Sequence, residues 1–88
     1  MPKIEYTETF LRQFMELPKD VQQKGRKAIR LLAENPRHPS LRSKPIQGAK
    51  GIYEASLDMQ YRFTYERLAE DVLRLRVIGL HDEALKKP

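Results

Sequence analysis

The chain of 88 residues contains no cysteine and only two histidines, His38 and His81. Without cysteine there is no disulfide framework, no thiolate nucleophile and no cysteine zinc site. The two histidines do not have the spacing of a known metal-ligand pair, so we expect no metal site. Phosphate-loop and dinucleotide-binding fingerprints are also missing, which argues against a small-molecule cofactor.

Long apolar runs and a signal peptide are absent as well. No apolar run approaches the roughly 20 residues that span a bilayer, and the N-terminal residues MPKIEY have no apolar core. The serines lack the glycine neighbours of a hydrolase nucleophile elbow. We therefore expect a single domain over residues 1–88 that is cytoplasmic and makes no membrane contact.

Basic residues are abundant and unevenly distributed. The 17 Lys and Arg exceed the 12 Asp and Glu and give a net charge of +5. Lys19–Lys50 holds nine basic and two acidic residues and carries +7, so the rest of the chain carries −2. A concentrated positive field attracts phosphate backbones. A solvated helix face that keeps the protein in solution explains the same pattern equally well.

The hydrophobic pattern predicts an α+β domain with the order β-α-α-β-β-β. Residues 3–6 form a first strand, Thr7 caps a short helix, and a second helix runs from about Lys19 to Glu34. Three runs then alternate between apolar and polar residues, the third with Leu73, Leu75 and Val77 on its apolar side. We expect the helical hairpin to pack on one face of a four-stranded, largely antiparallel twisted sheet. Residues 35–51 read as an ordered loop with an extended piece at 40–46, and residues 83–88 as a turn or frayed helix.

The polar side of these strands is the candidate working surface. It is expected to bring three arginines, Arg62, Arg74 and Arg76, close together beside Glu54. RNA carries its own nucleophile, the 2′-hydroxyl, so a nuclease needs only groups that stabilise phosphoryl charge and move protons. Arginine suits the first task and histidine the second. Arg62 and His81 could therefore act on one phosphate, with Glu54 as a general base or a partner that orients Arg62.

Each of these residues also has a purely structural interpretation. Arg62 could pair across the sheet with Glu54, which would stabilise the fold by well under about 1 kcal/mol. His81 could bond a local backbone group, and Arg74 and Arg76 could serve solubility. Only the expected position of these residues on one face favours the chemical interpretation.

Several segments in a fixed order resemble the RelE/ParE superfamily of toxins from bacterial type II toxin–antitoxin systems. These are the helix end at Asn35-Pro36, the basic loop SLRSKPIQG, the strands IYEASL and YRFTY, and the terminal IGLHDEALKKP. The resemblance covers essentially the whole chain. It implies a RelE-like mRNA interferase, a ribosome-dependent endoribonuclease that cuts mRNA through the 2′-hydroxyl without a metal.

The resemblance also implies site residues and partners. The family's arginine on the middle strand corresponds to Arg62 and its C-terminal basic or imidazole group to His81. At the positions where RelE-type toxins have two lysines, this chain has Glu54 and Ser56. The C-terminal catalytic tyrosine of those toxins has no counterpart here. The chain is therefore more similar to toxins with a Glu/Arg/His set. The residues expected to hold RNA are Arg42, Lys44, Lys50, Arg74 and Arg76. A cognate antitoxin with an acidic segment is the expected protein partner, beside the ribosome and mRNA.

Two other functions remain open on this basis. ParE-like members of the superfamily poison DNA gyrase and need no nuclease residues. A basic module could also block translation by occupying RNA without cutting it.

Overall fold

The computed structural model describes residues 2–68 and 71–88. Its elements follow one another in the order β1 (Lys3–Tyr6), α1 (Glu8–Met15), α2 (Lys19–Glu34), a 3-10 turn (Pro39–Leu41), β2 (Lys44–Pro45), β3 (Ile52–Ser56), β4 (Tyr61–Leu68), β5 (Val72–Leu80) and α3 (His81–Ala84). No helix in the described ranges is long and apolar enough to cross a membrane.

Local sequence signals set the limits of the helical hairpin. The Thr7 hydroxyl accepts a hydrogen bond from the Phe10 N–H at 3.1 Å and caps α1. Pro18 immediately precedes α2, and the extended Asn35 ends it. The Gln22 amide donates to the carbonyls of residues 14, 15 and 17 and so satisfies the C-terminal end of α1.

The five strands form one mixed sheet in the order β1-β5-β4-β3-β2. β1 lies parallel to β5, with Ile4 opposite Leu73, and the other three pairings are antiparallel. The predicted fold class is confirmed. The additional fifth strand is the two-residue β2, which lies in the loop where an extended piece was expected.

The core lies between the helical hairpin and one face of the sheet. Phe10, Ala28 and Leu32 of the helices pack against sheet residues such as Phe63 and Leu75. We call this side of the sheet the helix face and the opposite side the polar face. The polar face carries the alternate residues of the same strands, among them Glu54, Arg62, Thr64, Glu66 and Arg74.

An irregularity between Thr64 and Tyr65 changes the side-chain alternation of β5. Thr64 pairs with Val77, but Tyr65 pairs with Leu75, so Arg76 is the extra residue. Ile78 is consequently 3% exposed and belongs to the core, whereas Val77 lies opposite Thr64. The prediction that Val77 continues the apolar side of the strand is therefore wrong. Strict alternation fails because one inserted residue exchanges the two faces.

The C-terminal segment packs on the sheet. After the one-turn helix α3, the chain reaches the polar face, where the Pro88 carbonyl accepts bonds from Thr64 Oγ1 at 3.2 Å and from Arg76 Nε at 2.7 Å. Ala84 is buried. The expectation of a turn or frayed helix over residues 83–88 is thus only partly met, because the segment forms specific tertiary bonds.

Candidate functional site on the polar face

Arg62 lies near the start of β4, opposite Ser56 of β3 and Gly79 of β5. Its Nη1 donates hydrogen bonds to the carbonyl of Asp58, in the β3–β4 turn, and to that of Tyr61 at 3.0 Å. The other guanidinium nitrogens, Nε and Nη2, bond no atom of residues 2–68 and 71–88. One edge of the guanidinium therefore fixes the side chain, and the other edge is available to an anion.

His81 directly follows β5 and begins α3. Its backbone N–H donates to the Gln60 carbonyl at 2.8 Å, which holds it against the β3–β4 turn. The side chain is 48% exposed, and Nδ1 lies 3.2 Å from Asp82 Oδ1. The ring is thus solvent-accessible, and a carboxylate is in position to orient it.

The structure brings Arg62 and His81 to the same end of the sheet. The Arg62 guanidinium bonds the backbone of this turn at Asp58, and His81 bonds it at Gln60. Gly79, the β5 partner of Arg62, precedes His81 by two residues. Arg62 is not covered by the helices, because it alternates with the buried Phe63 of the helix face.

Glu54 lies one diagonal step from Arg62. It pairs with Thr64 of β4 and Lys44 of β2, and it is 8% exposed. A diagonal neighbour in an antiparallel pair is about 7–8 Å away, within reach of a long side chain. The side chains of Glu54 and Arg62 nevertheless form no ion pair here, since Arg62 bonds the turn instead. The structural interpretation in which Arg62 pairs across the sheet with Glu54 is therefore wrong.

The expected cluster of three arginines does not form. Arg74 pairs with Glu66, four residues along β4 from Arg62, which is about 13 Å. Arg74 Nε lies 3.4 Å from Glu5 Oε1, and Arg76 Nη1 lies 3.1 Å from Glu66 Oε1. Carboxylates from β1 and β4 thus offset these two charges, and the prediction that the three arginines lie close together is wrong.

The other residues predicted to hold RNA lie near the β2 edge of the sheet. Arg42, Lys44 and Lys50 are all exposed. Lys44 is in the edge strand itself, while Arg42 follows the 3-10 turn in a left-handed conformation. No ion pair within the described ranges involves any of these three side chains.

Asp58 is a residue of this site that sequence reasoning missed. Its Oδ1 accepts the N–H groups of Gln60 and Tyr61, both at 2.8 Å, and its Oδ2 lies 2.9 Å from Lys24 Nζ. Burial alone would raise the pKa of Asp58, but the bonds from Lys24 and the two N–H groups lower it below its usual range. The available signal was an aspartate at the start of a short polar connection between two strands.

No group of three or more metal-ligating side chains occurs within residues 2–68 and 71–88. The geometry instead offers a fixed guanidinium and a shielded carboxylate on the polar face, and an accessible imidazole just after β5 at the end of the sheet where Arg62 lies. These are groups that can stabilise charge on a phosphoryl oxygen and move protons.

Comparison with known proteins identifies solved structures with the same fold. No protein family profile and no curated protein matches the sequence. The E. coli DinJ–YafQ toxin–antitoxin complex contains a chain with 23% identity and a TM-score of 0.76, over 93% of this chain and 94% of that chain. The intact E. coli RelBE toxin–antitoxin complex contains a chain with 21% identity and a TM-score of 0.74, over 91% of this chain and 96% of that chain. The YoeB/ParE toxin of Agrobacterium tumefaciens has 17% identity and a TM-score of 0.76, over 90% of this chain and 98% of that chain.

These likenesses extend over nine-tenths or more of both chains in each pair. The resemblance inferred from the sequence is therefore confirmed at the level of the fold: the chain has the fold of the YafQ, RelE and YoeB/ParE toxins.

Proposed function

We propose that this protein is the toxin of a toxin–antitoxin pair and acts in the cytoplasm as a ribosome-dependent, metal-independent endoribonuclease that cleaves mRNA. The observation that carries the proposal is the attachment of Arg62 and His81 to one turn of the sheet. The fold supports it, since solved structures with this fold include toxins in complex with antitoxins.

In the proposed reaction the 2′-oxygen attacks the adjacent phosphorus and the 5′-oxygen leaves, so a 2′,3′-cyclic phosphate forms. Arg62 presents Nε and Nη2 to the phosphoryl oxygens and stabilises the charge that develops on them. His81 gives a proton to the leaving 5′-oxygen. Glu54, which is buried beside Thr64, accepts the proton of the 2′-hydroxyl. Protons and charge therefore balance within the site.

The RNA strand is proposed to approach from the β2 edge, where Arg42, Lys44 and Lys50 have charges that no described carboxylate offsets. Arg74 and Arg76 are weaker candidates for this contact than the sequence indicated. Their bonds to Glu5 and Glu66 would have to open before a phosphate could replace the carboxylates.

The proposed antitoxin supplies an acidic amphipathic helix to the outer side of α1 and α2. An apolar groove of about 300 Å³ lies there, lined by Phe14 and the exposed Tyr6, Leu11 and Met15. Arg26 borders the same groove, with its guanidinium 5.4 Å from the Phe14 ring centre. An apolar stripe flanked by acidic residues complements this surface.

Cleavage of message in a translating extract tests the proposal. Primer extension should show cuts for the wild type, and Arg62→Ala should reduce their rate about a hundredfold because an electrostatic donor to the phosphoryl group is removed. His81→Ala should reduce it similarly while RNA binding is kept. Arg30→Ala, which removes an exposed arginine of α2, is the matched control and should cut like the wild type.

Two results would contradict the nuclease. Uncut message with double-strand DNA breaks in a gyrase assay would identify a gyrase poison. Inhibited translation without cuts, unchanged in His81→Ala, would identify a protein that blocks translation by occupancy.

A further inference from the structure

A second basic site lies on the helix face, at the opposite end of β4 from Arg62. Here the loop that follows α2 meets β3 and β4 and encloses a cleft of about 570 Å³. We call it the arginine cleft, and the residues of its lining that matter here are Arg37, His38, Arg42, Tyr53, Arg67 and Asp71.

The arginine cleft has more positive than negative side chains in the part of the chain that the structure describes. Among the described residues, its lining includes three guanidinium groups, those of Arg37, Arg42 and Arg67, and one carboxylate, that of Asp71. None of the three forms an ion pair within the described residues. Arg74 and Arg76 on the polar face, in contrast, both contact Glu66. Among residues 2–68 and 71–88, the arginines of this end of the sheet that form no ion pair therefore lie in the cleft.

The backbone around the cleft is held in costly conformations. Arg42 has φ 49° and Asp71 has φ 62°, and they are the two non-glycine residues with positive φ in the described chain. Such residues persist where the surroundings hold them, and they cluster at ligand sites. Local bonds hold the loop: Asn35 Oδ1 accepts the Arg37 N–H at 3.0 Å, and His38 Nδ1 accepts the Ser40 N–H at 3.1 Å.

One wall of the cleft is aromatic. The rings of Tyr53 and Tyr65 stack with centroids 5.4 Å apart and planes 13° from parallel. The Arg67 guanidinium lies 5.8 Å from the Tyr53 ring centre and extends this stack. Burial raises the pKa of Tyr65, and its hydroxyl donates to Ser43 Oγ at 3.0 Å. Flat surfaces of this kind accept a nucleobase whatever its identity.

We propose that the arginine cleft binds one nucleotide of single-stranded RNA. Arg37 and Arg42 hold the phosphate, because their planar donors can bracket two phosphate oxygens. The base lies against the stack formed by Arg67 and Tyr53. His38 has Nδ1 engaged with Ser40, so in the neutral ring Nε2 carries the proton and can donate to the phosphate or the ribose.

This inference takes its ligand, RNA, from the proposed function but concerns a site on the other face of the sheet, which shares only Arg42 with the proposed path of the strand at the β2 edge. It predicts that the protein holds RNA at two places, one where the strand is cut and one that only binds. An acidic peptide could satisfy the arginines, but it would leave the aromatic wall without a partner.

Binding of a fluorescein-labelled 2′-O-methyl RNA hexamer, which cannot be cleaved, tests the proposal by anisotropy across a salt series. The plot of log K against log salt should be shallower by about 0.7 in the Arg37→Ala/Arg67→Ala double variant, because Arg37 no longer neutralises the one phosphate held in the cleft. Loss of the Arg67 stacking surface should in addition weaken binding at every salt concentration. The Arg12→Ala/Arg30→Ala double variant removes the same charge from exposed helix positions and should keep the wild-type slope. Arg37→Ala alone serves if the double variant unfolds, because only the backbone of Arg37 bonds Asn35.

Titration with adenosine monophosphate locates the site. The amide signals of Ser43, Tyr53 and Tyr65 should shift, and inorganic phosphate should compete at least tenfold more weakly. Four results would each overturn the proposal. The two double variants could have equal slopes, or the shifted signals could be confined to the turn near Arg62. Inorganic phosphate could compete as well as adenosine monophosphate, or the protein could bind a poly-glutamate peptide in preference to RNA. Loss of cleavage in Arg62→Ala with no change of slope in Arg37→Ala/Arg67→Ala would refute the cleft alone. A shallower slope in Arg37→Ala/Arg67→Ala, with no cleavage by the wild type, would refute the nuclease alone.

Discussion

The Arg62 side chain differs from its neighbours on the polar face in what its guanidinium touches. Arg74 and Arg76 bond carboxylates, so their charge is largely offset within the protein. Within the described residues, the Arg62 side chain bonds only backbone carbonyls, which accept hydrogen bonds but carry no net charge. A side chain that is fixed in place and still fully cationic is what a site for a developing negative charge requires.

Thr64 offers a test of how firmly the C-terminal segment is attached. Its side chain is fully buried, and its Oγ1 donates to the Pro88 carbonyl and accepts the Val77 N–H at 3.3 Å. Thr64→Val keeps the shape but removes both bonds. We expect a loss of about 1–2 kcal/mol in the free energy of unfolding, measured by urea titration.

Thr9→Val is the control, since Thr9 lies in α1 and is not fully buried. Its free energy of unfolding should change by no more than about 0.5 kcal/mol. Equal effects of the two substitutions would show that the bonds of Thr64 contribute nothing.

At the scale of elements, the β3–β4 turn combines stability with the site. Asp58 bonds two N–H groups of the turn and pairs with Lys24 of α2, and its carbonyl accepts the Arg62 bond. The pKa of Asp58 is lowered in the folded state. The stabilisation is therefore complete above the unfolded pKa of about 4 and is lost as pH falls through the folded value.

Asp58→Asn should flatten this acid dependence. Asparagine keeps an oxygen for the turn but does not titrate and cannot pair with Lys24. Between pH 5 and pH 2 the urea midpoint of the wild type should fall more steeply than that of Asp58→Asn. Parallel curves for the two proteins would rule out Asp58 as a source of acid sensitivity.

The contact between α1 and α2 depends on Gly25. A Cβ atom at this position would lie 2.9 Å from Phe14 Cε2 and 3.6 Å from Leu57 Cδ2. Gly25→Val should therefore destabilise the fold by about 1–3 kcal/mol through overpacking. Gln23→Val, at an exposed position of the same helix, should cost only about 0.5 kcal/mol of helix propensity. Equal unfolding midpoints in the two variants would contradict the close approach.

The elements were largely predictable because their signals are local. Thr7, Pro18 and Pro36 mark the helix limits, and alternation marks β3 and β4. The bulge beside Tyr65 was not predictable, since it depends on which residues of β5 face β4. The pairing of Arg74 with Glu5, 69 residues away in sequence, was likewise hidden, because only the parallel β1–β5 contact brings them together.

The candidate site was likewise predictable only in part from the sequence. Arg62 and His81 were predicted to meet, and the structure places both against one turn because β4 and β5 are adjacent antiparallel strands. Their catalytic roles remain predictions. The arginine cleft was not foreseen, since its lining comes from a loop and from strand ends that no spacing in the sequence relates.

At the scale of the whole molecule, β1 and β5 join distant parts of the chain. Ile4 of β1 is partly buried opposite Leu73 and packs on the core. Closing so long a loop is slow, so we expect this contact to form after the folding transition state. Ile4→Ala should then speed unfolding severalfold and leave the folding rate nearly unchanged in stopped-flow measurements.

Val77→Ala, in the local β4–β5 hairpin, is the comparison and should instead slow folding. A folding rate lowered equally by both substitutions would show that β1 docks early. The two variants together therefore show whether β5 pairs with β4 before it pairs with β1 during folding.

The position of β1 has a consequence for synthesis of the protein. During translation the first strand leaves the ribosome long before Val72–Leu80 exists, and until then it has no strand to lie against. A polypeptide whose synthesis stops before Val72 therefore lacks β5, the strand between β1 and β4, and also lacks His81. Such an incomplete copy, including one made from a message cut upstream of the codon for Val72, is left without the imidazole proposed to protonate the leaving 5′-oxygen.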